Sequence, residues 1–253
     1  MKQPTHHSWL LPPAALLPAA ALYLLRRWQL SSALTVHGCL TLLAPAGYAL
    51  LGALAASLAL WLLLSLRLQP CAALPSGRQT LAGALRLPGA AAIGLASVSS
   101  LYAMVKLGDG LGMIAGVLGI AAAFCLLVDG AVCFTGQPVL PGFRIVPYLF
   151  LAVRTVTDFR GWSIDPAVLD YCFQHFALLL SLCGLYAWGS FCFDRGCRRL
   201  TAFLCLAGVG SCAMAAAGLH AADLWLYIGL GLALLSVLVQ LANCEAPDGA
   251  AAP

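Results

Sequence analysis

Ala46-Gly47-Tyr48-Ala49-Leu50-Leu51-Gly52-Ala53-Leu54-Ala55-Ala56-Ser57-Leu58-Ala59-Leu60-Trp61-Leu62-Leu63-Leu64-Ser65-Leu66 holds no charged residue. As an α-helix each of its residues rises 1.5 Å, so the run matches a hydrocarbon core of about 30 Å, which needs about 20 apolar residues. The stretch is hydrophobic all round rather than on one stripe, as expected of a helix whose outer face meets lipid.

Working outward, seven more stretches have a similar character. They run over about 8–25, 88–105, 111–134, 139–156, 166–193, 200–219 and 224–243, with 46–66 as the second of eight. The stretch at 139–156 is the weakest, because its strictly apolar part lies between Arg144 and Arg154 and contains Pro147. The whole chain agrees with this pattern: of 253 residues 62% are hydrophobic and 9% charged, with a mean hydropathy of +0.94. Soluble domains carry about 25% charged residues. Here the charges cannot cover a water-facing surface, so lipid must solvate most of the exterior. The expected fold is an all-α polytopic transmembrane bundle of about eight spans, forming one membrane domain with a flexible tail at 244–253. The lipid bilayer is the expected partner. The net charge of +4 and the lack of a basic run argue against nucleic acid.

The N-terminus has two readings. Lys2, the apolar run Trp9 to Leu17 and the small residues Ala19-Ala20-Ala21 resemble a cleavable signal. The apolar run however continues through Leu25 to Arg26-Arg27-Trp28, and Pro12-Pro13 interrupt it, so an uncleaved first span is expected. The 11 cysteines are odd in number and lack a Cys-x-x-Cys. Cys125, Cys172, Cys183, Cys205 and Cys212 lie in apolar segments, where they act as small hydrophobes, and neither a disulfide framework nor a metal site is expected.

Three links carry turn chemistry: Leu107-Gly108-Asp109-Gly110, Thr135-Gly136-Gln137-Pro138 and Gly161-Trp162-Ser163. They read as hairpin connections between antiparallel neighbours. Residues 29–45 contain an apolar patch, Ala33 to Leu43, too short to cross and read as interfacial or re-entrant. Residues 67–87 read as a polar, basic loop. Arg67, Arg78, Arg86, Arg195, Arg198 and Arg199 then fall on the side of the termini, which predicts cytoplasmic termini in a cell membrane. Trp9, Trp28, Trp162, Trp188 and Trp225 fall near segment ends, as an interfacial belt requires. Asp165 and Pro166 read as the N-cap and first residue of span six.

Within the spans, Asp170, Gln174, Ala177, Ser181, Gly184 and Trp188 form a stripe on span six. Gly229, Ala233, Ser236, Gln240 and Asn243 repeat it on span eight, and Thr201, Cys205, Gly208, Cys212 and Ala215 on span seven. Such stripes are packing seams between helices or the walls of a polar path. Asp129 with Arg144, and Asp170 with Arg154, flank consecutive links and are expected to meet in pairs. An isolated charge at mid-membrane costs about 2.5–3.5 kcal/mol, so paired charges are favoured. The candidate polar pocket therefore comprises Asp129, Arg144, Arg154, Asp170, Gln174 and Gln240. Pro18 and Pro147 interrupt the first span of each four-span half, which points either to broken helices at a transport site or to tolerated kinks. Gly112-Met113-Ile114-Ala115-Gly116 allows close helix approach, within the chain or in a homo- or hetero-oligomer. His175 is expected to be buried and hydrogen-bonded. No His-Glu-x-x-His, Gly-x-Ser-x-Gly or P-loop is present, so no catalytic residue, metal or cofactor is assigned and an enzyme is not expected.

Trp162-Ser163-Ile164-Asp165-Pro166, followed by Asp170-Tyr171-Cys172 and Tyr186, resembles a group of multi-pass membrane proteins of anaerobic Gram-positive bacteria, as does Arg27-Trp28-Gln29-Leu30. The group is uncharacterised, so the resemblance implies a membrane bundle and no site roles. Two function classes stay open: a small-solute or ion transporter or its subunit, with its site between spans five and six and the stripes of seven and eight, and a non-transporting scaffold, assembly or sensor component.

Overall fold

The computed structural model describes residues 8–32, 44–71, 74–75, 77–137, 140–163, 168–219 and 221–244, without the side chains of 8, 168–170 and 221–222. Among these the chain forms eight α-helices and no strand: α1 Leu11–Ser32, α2 Pro45–Leu66, α3 Thr80–Leu107, α4 Gly110–Thr135, α5 Pro141–Trp162, α6 Val168–Gly189, α7 Arg198–Ala216 and α8 Ala221–Ala242. Short 3-10 turns at Ser8–Leu10 and Ser190–Phe193 extend α1 and α6. The interfacial or re-entrant patch expected at 33–43, the Asp165-Pro166 cap and residues 245–253 of the tail lie outside the described residues, while Cys244 is buried.

Local chemistry accounts for the helix ends. Pro45 and Pro141 open α2 and α5, where a proline's missing N–H costs nothing and its φ is already helical. Gly108 and Gly136 close α3 and α4 at φ 70° and 73°, the left-handed conformation that a helix C-cap takes and that glycine adopts without strain. Both turns stand where the sequence places hairpins. Pro18 and Pro147 sit inside unbroken helices, so neither marks a discontinuous span.

Six helices, α2, α3, α4, α6, α7 and α8, are long and apolar enough to cross a bilayer. The other two, α1 and α5, contain Arg26 and Arg27, and Arg144, Arg154, Asp158 and Arg160, yet have the same 22-residue length as α2 and pack into the same bundle. Burial is inverted relative to a soluble protein. Leu51, Leu63, Leu95 and Phe124 are exposed while Arg86 and Asp129 are buried, the arrangement expected when hydrocarbon is the solvent. The chain is an integral membrane helical bundle.

Helices α3, α4, α5, α6, α7 and α8 pack in sequence, and α8 returns to α3, so the six close a ring. On its outside α1 and α2 pack on each other and on α7. The link after α2 therefore carries the chain across one end of the bundle. Ring closure depends on two glycines: a Cβ on Gly229 would meet the Gly89 carbonyl at 2.6 Å, and one on Gly89 would meet the Gly229 carbonyl at 2.9 Å. Gly112 and Gly116 face Met104 and Leu101 of α3, so that motif serves the α3–α4 hairpin.

Three boundaries depart from expectation: α1 continues to Ser32 rather than ending near 25, α5 continues to Trp162 through the Gly161-Trp162 link rather than ending near 156, and α3 starts early. The third helix begins at Thr80, so Arg86 is not a loop residue but lies about 9 Å inside the helix. Ala82, Arg86, Gly89, Ala90, Ile93 and Ser97 all turn inward at spacings of three and four. Pro88 removes one backbone bond and the helix continues through it.

Candidate functional site

Because successive helices alternate in direction, each bundle end gathers one set of links. The termini and the links after α2, α4 and α6 share one end, here the terminal end. The links after α1, α3, α5 and α7 share the other. Each end holds an ionic cluster.

At the terminal end, Asp129 of α4 stands between two arginines. Its Oδ2 pairs with Arg86 Nη1 and its Oδ1 accepts from Arg144 Nε at 3.2 Å. Arg86 is fully buried, and α8 completes its coordination: Nε donates to Ser236 Oγ at 2.9 Å and Nη2 to Gln240 Oε1 at 3.0 Å. Trp188 Nε1 donates to the same Gln240 oxygen at 3.0 Å. Both guanidiniums lie over the Trp188 ring, Arg86 at 4.5 Å and Arg144 at 4.3 Å, contacts that strengthen when desolvated. Trp188 is thus part of the ionic core and does not belong to the interfacial belt. Arg144 Nη1 also donates to Cys192 Sγ at 3.2 Å, and Gln240 Nε2 to Cys133 Sγ at 3.4 Å. Next to this cluster, Arg198 donates through Nε and Nη2 to the Leu241 carbonyl at 3.1 and 2.6 Å. A cation there complements the C-terminal end of α8.

At the opposite end a cavity of about 470 Å³ opens between α1, α5, α6, α7 and α8. Arg154 of α5 is its central cation: Nε donates to Asp158 Oδ2 at 2.7 Å, Nη1 to Ser100 Oγ at 2.8 Å and Nη2 to Asp223 Oδ1 at 3.4 Å. Gln174 and Tyr227 line it about 9 Å inside their helices. Trp162 and Tyr171 form one wall, stacked at 5.2 Å and 7°. Arg26 forms another, its Nη1 donating to Gln29 Oε1 at 2.6 Å and its guanidinium 4.3 Å above the Phe173 ring. His175 contacts Phe159 and Trp162, but its buried Nδ1 finds no hydrogen-bond partner among the described residues.

The six residues singled out in the sequence therefore divide between two places. Asp129, Arg144 and Gln240 meet at the terminal end, and the Asp129–Arg144 pair forms as expected. Arg154 and Gln174 meet in the cavity. Asp170 belongs to α6, but its side chain lies outside the described residues, as does its expected pairing with Arg154; the described acidic partners of Arg154 are Asp158 and Asp223. A single site spanning both groups does not form. They lie about 21 Å apart along α6, from Gln174 to Trp188. Between them Ala177, Leu178, Ser181 and Leu185 are fully packed, with Ser181 Oγ 3.4 Å from Cys212 Sγ.

The principal residue missed by sequence reasoning is Arg86, which looks like part of a basic loop. The inward spacing it shares with Ala82, Gly89 and Ile93 is the signal that locates it. Asp158 and Asp223 were missed because they sit at the ends of segments, where an acidic residue reads as interfacial. No family model matches the sequence, and no curated protein or solved structure matches the chain.

Proposed function

We propose that the chain is a carrier of the cell membrane, with cytoplasmic termini, that binds a small polar or ionic solute in the 470 Å³ cavity and passes it across the bundle. The supporting observation is the cavity itself: Arg154, Asp158, Asp223, Gln174 and Tyr227 converge on one opening between α1, α5, α6, α7 and α8. Ionisable side chains held within a membrane segment are costly, and they commonly mark a solute or ion path. A cation and two carboxylates in one opening suit a solute that carries charge or strong hydrogen-bonding groups. Trp162 and Tyr171, two of the residues that carry the resemblance, border the same opening.

A second reading, a non-transporting scaffold or sensor component, is favoured by the packed layer at Ala177, Leu178, Ser181 and Cys212, which shuts the cavity off from the terminal end. The two readings differ in whether that layer opens. Site-resolved labelling with a membrane-impermeant maleimide, applied to vesicles of each orientation, separates them without a known substrate. Transport predicts that Gln174→Cys reacts from the cavity side, while native Cys212 and Ser181→Cys react slowly from both sides. A layer that stays unreactive from both sides rules transport through this path out.

A further inference from the structure

The outer surface of the ring carries a groove at the terminal end. Its volume is about 900 Å³, and it lies between α6 and α7 with Tyr148 of α5 at one side. Ala187, Gly189 and Thr201 line it and are buried, so they form its floor. Tyr186 and Leu200 line it and are exposed, so they form its rims. The Tyr186 ring stands edge-on to Tyr148 at 5.5 Å, which steadies the rim on the α5 side. Leu204 lines the groove about 9 Å inside α7. At that depth the medium outside the bundle is hydrocarbon. An apolar groove open to hydrocarbon fills with hydrocarbon, and the flexible acyl chain of a lipid matches its walls.

Arg195, in the link between α6 and α7, lines the same groove at its terminal-end mouth. Its backbone N–H donates to the Ser190 carbonyl at 3.2 Å, which fixes the link against the end of α6. Its guanidinium is exposed and has no hydrogen-bond or acidic partner among the described residues. Asp194, its neighbour in the chain, does not line the groove. The exposed charges described at this end are Arg67, Arg78, Arg195 and Arg199 against Asp194, so the surface is positive. Arginines clustered beside a membrane attract anionic headgroups. A guanidinium also suits a phosphate in particular, through two parallel N–H bonds.

We propose that the groove holds one anionic phospholipid, with an acyl chain lying between α6 and α7 and the phosphate on Arg195. Groove and cation belong to one ligand because Arg195 stands at the helix ends, where the headgroup of a chain lying in the groove emerges. A second copy of this chain docking on its own equivalent face would bring two positive ends together, which the charges disfavour. The site lies on the lipid-facing side of the bundle and does not rest on the transport reading.

The test uses the full chain in nanodiscs of equal parts phosphatidylglycerol and phosphatidylcholine, read by native mass spectrometry. One phosphatidylglycerol per chain is expected to be retained, about fivefold over phosphatidylcholine, whose choline cancels the phosphate charge. Arg195→Gln should remove the preference, and Arg195→Lys should keep it, since a phosphate also accepts a point charge. Gly189→Leu fills the groove from its floor. The φ of Gly189 is −60°, and an added Cβ meets the Tyr148 ring at 3.5 Å, an ordinary contact, so the helix end accepts the side chain. That variant should lose the retained lipid with Arg195 unchanged, and thermal unfolding checks that its bundle is intact. If it unfolds, Arg195→Gln, a change at an exposed side chain, decides alone. The proposal is overturned if the two lipids are retained equally or if Arg195→Gln keeps the preference. It is also overturned if a folded Gly189→Leu retains lipid like the unmodified chain, or if the chain is released as a dimer that Gly189→Leu splits, which assigns the groove to a second copy.

Discussion

Arg86 of α3 and Asp129 of α4 form a buried ion pair, their side chains 1% and 2% exposed, on the inner surface of a helix ring whose outer surface is hydrocarbon-facing. Asp129 also serves Arg144, so one carboxylate faces the fully buried Arg86 and holds the start of α5 against the end of α4.

Removing that carboxylate strands both guanidiniums. Asp129→Ala is expected to cost about 3–5 kcal/mol, the usual penalty for breaking a buried pair from one side. The double variant Arg86→Met with Asp129→Leu should recover much of that loss, because Arg144 can then extend toward the headgroups. Thermal unfolding of the purified variants in one detergent, followed by size-exclusion chromatography, checks both values. Equal stability of the single and double variants would contradict the pairing.

The two acidic partners of Arg154 should differ. Asp158 is 14% exposed and Asp223 is 55% exposed. Asp223→Asn is therefore expected to change stability by less than about 1 kcal/mol, and the change should shrink further in high salt. Asp158→Asn should cost more and respond less to salt. Melting curves of both variants at low and high ionic strength give the comparison.

The Gly89–Gly229 contact leaves no room for a side chain. Gly229→Ala is expected to lose about 1–3 kcal/mol as α3 and α8 separate. Gly52, on the outer face of α2, has nothing within 4 Å of an added Cβ. Gly52→Ala should be neutral or stabilising by about 1 kcal/mol, since alanine favours the helix. Opposite signs in the same unfolding assay support the ring closure.

Trp61 is fully buried and its Nε1 donates to the Ala14 carbonyl at 2.8 Å. It fastens α2 to α1, while its ring lies against Gly210 of α7. Trp61→Ala should cost about 3–5 kcal/mol. Trp61→Phe retains most of the packing and loses the hydrogen bond, so about 0.5–1.5 kcal/mol is expected. Limited proteolysis between α1 and α2 should accelerate in the first variant and change little in the second.

Fold class was legible because lipid-compatible helices are long and continuously apolar, whereas the other arrangement that satisfies its own hydrogen bonds in hydrocarbon, a closed barrel, is built from shorter alternating strands. The hairpin turns were legible because Gly108 and Gly136 have few structural alternatives. The Asp129–Arg144 pair was legible because both flank one short link. Arg86 was not, because hydropathy registers a charge and ignores the partners that neutralise it. Its partners on α8, Ser236 and Gln240, lie 150 and 154 residues away in sequence, and no local pattern reports a contact at that distance. For the same reason the stripe on α6 showed an inward face but not that Gln174 and Trp188 serve different clusters.

The dependence of α3 on α8 has a consequence for biosynthesis. Synthesis proceeds from the N-terminus, so α3 exists well before its last partner does. Arg86 can meet Asp129 once α4 has been made, but it must wait for α8 to receive Ser236 and Gln240. Until α8 is made, Arg86 lacks two of its polar partners, and a chain truncated before α8 is expected to turn over faster than the full chain in a pulse-chase measurement.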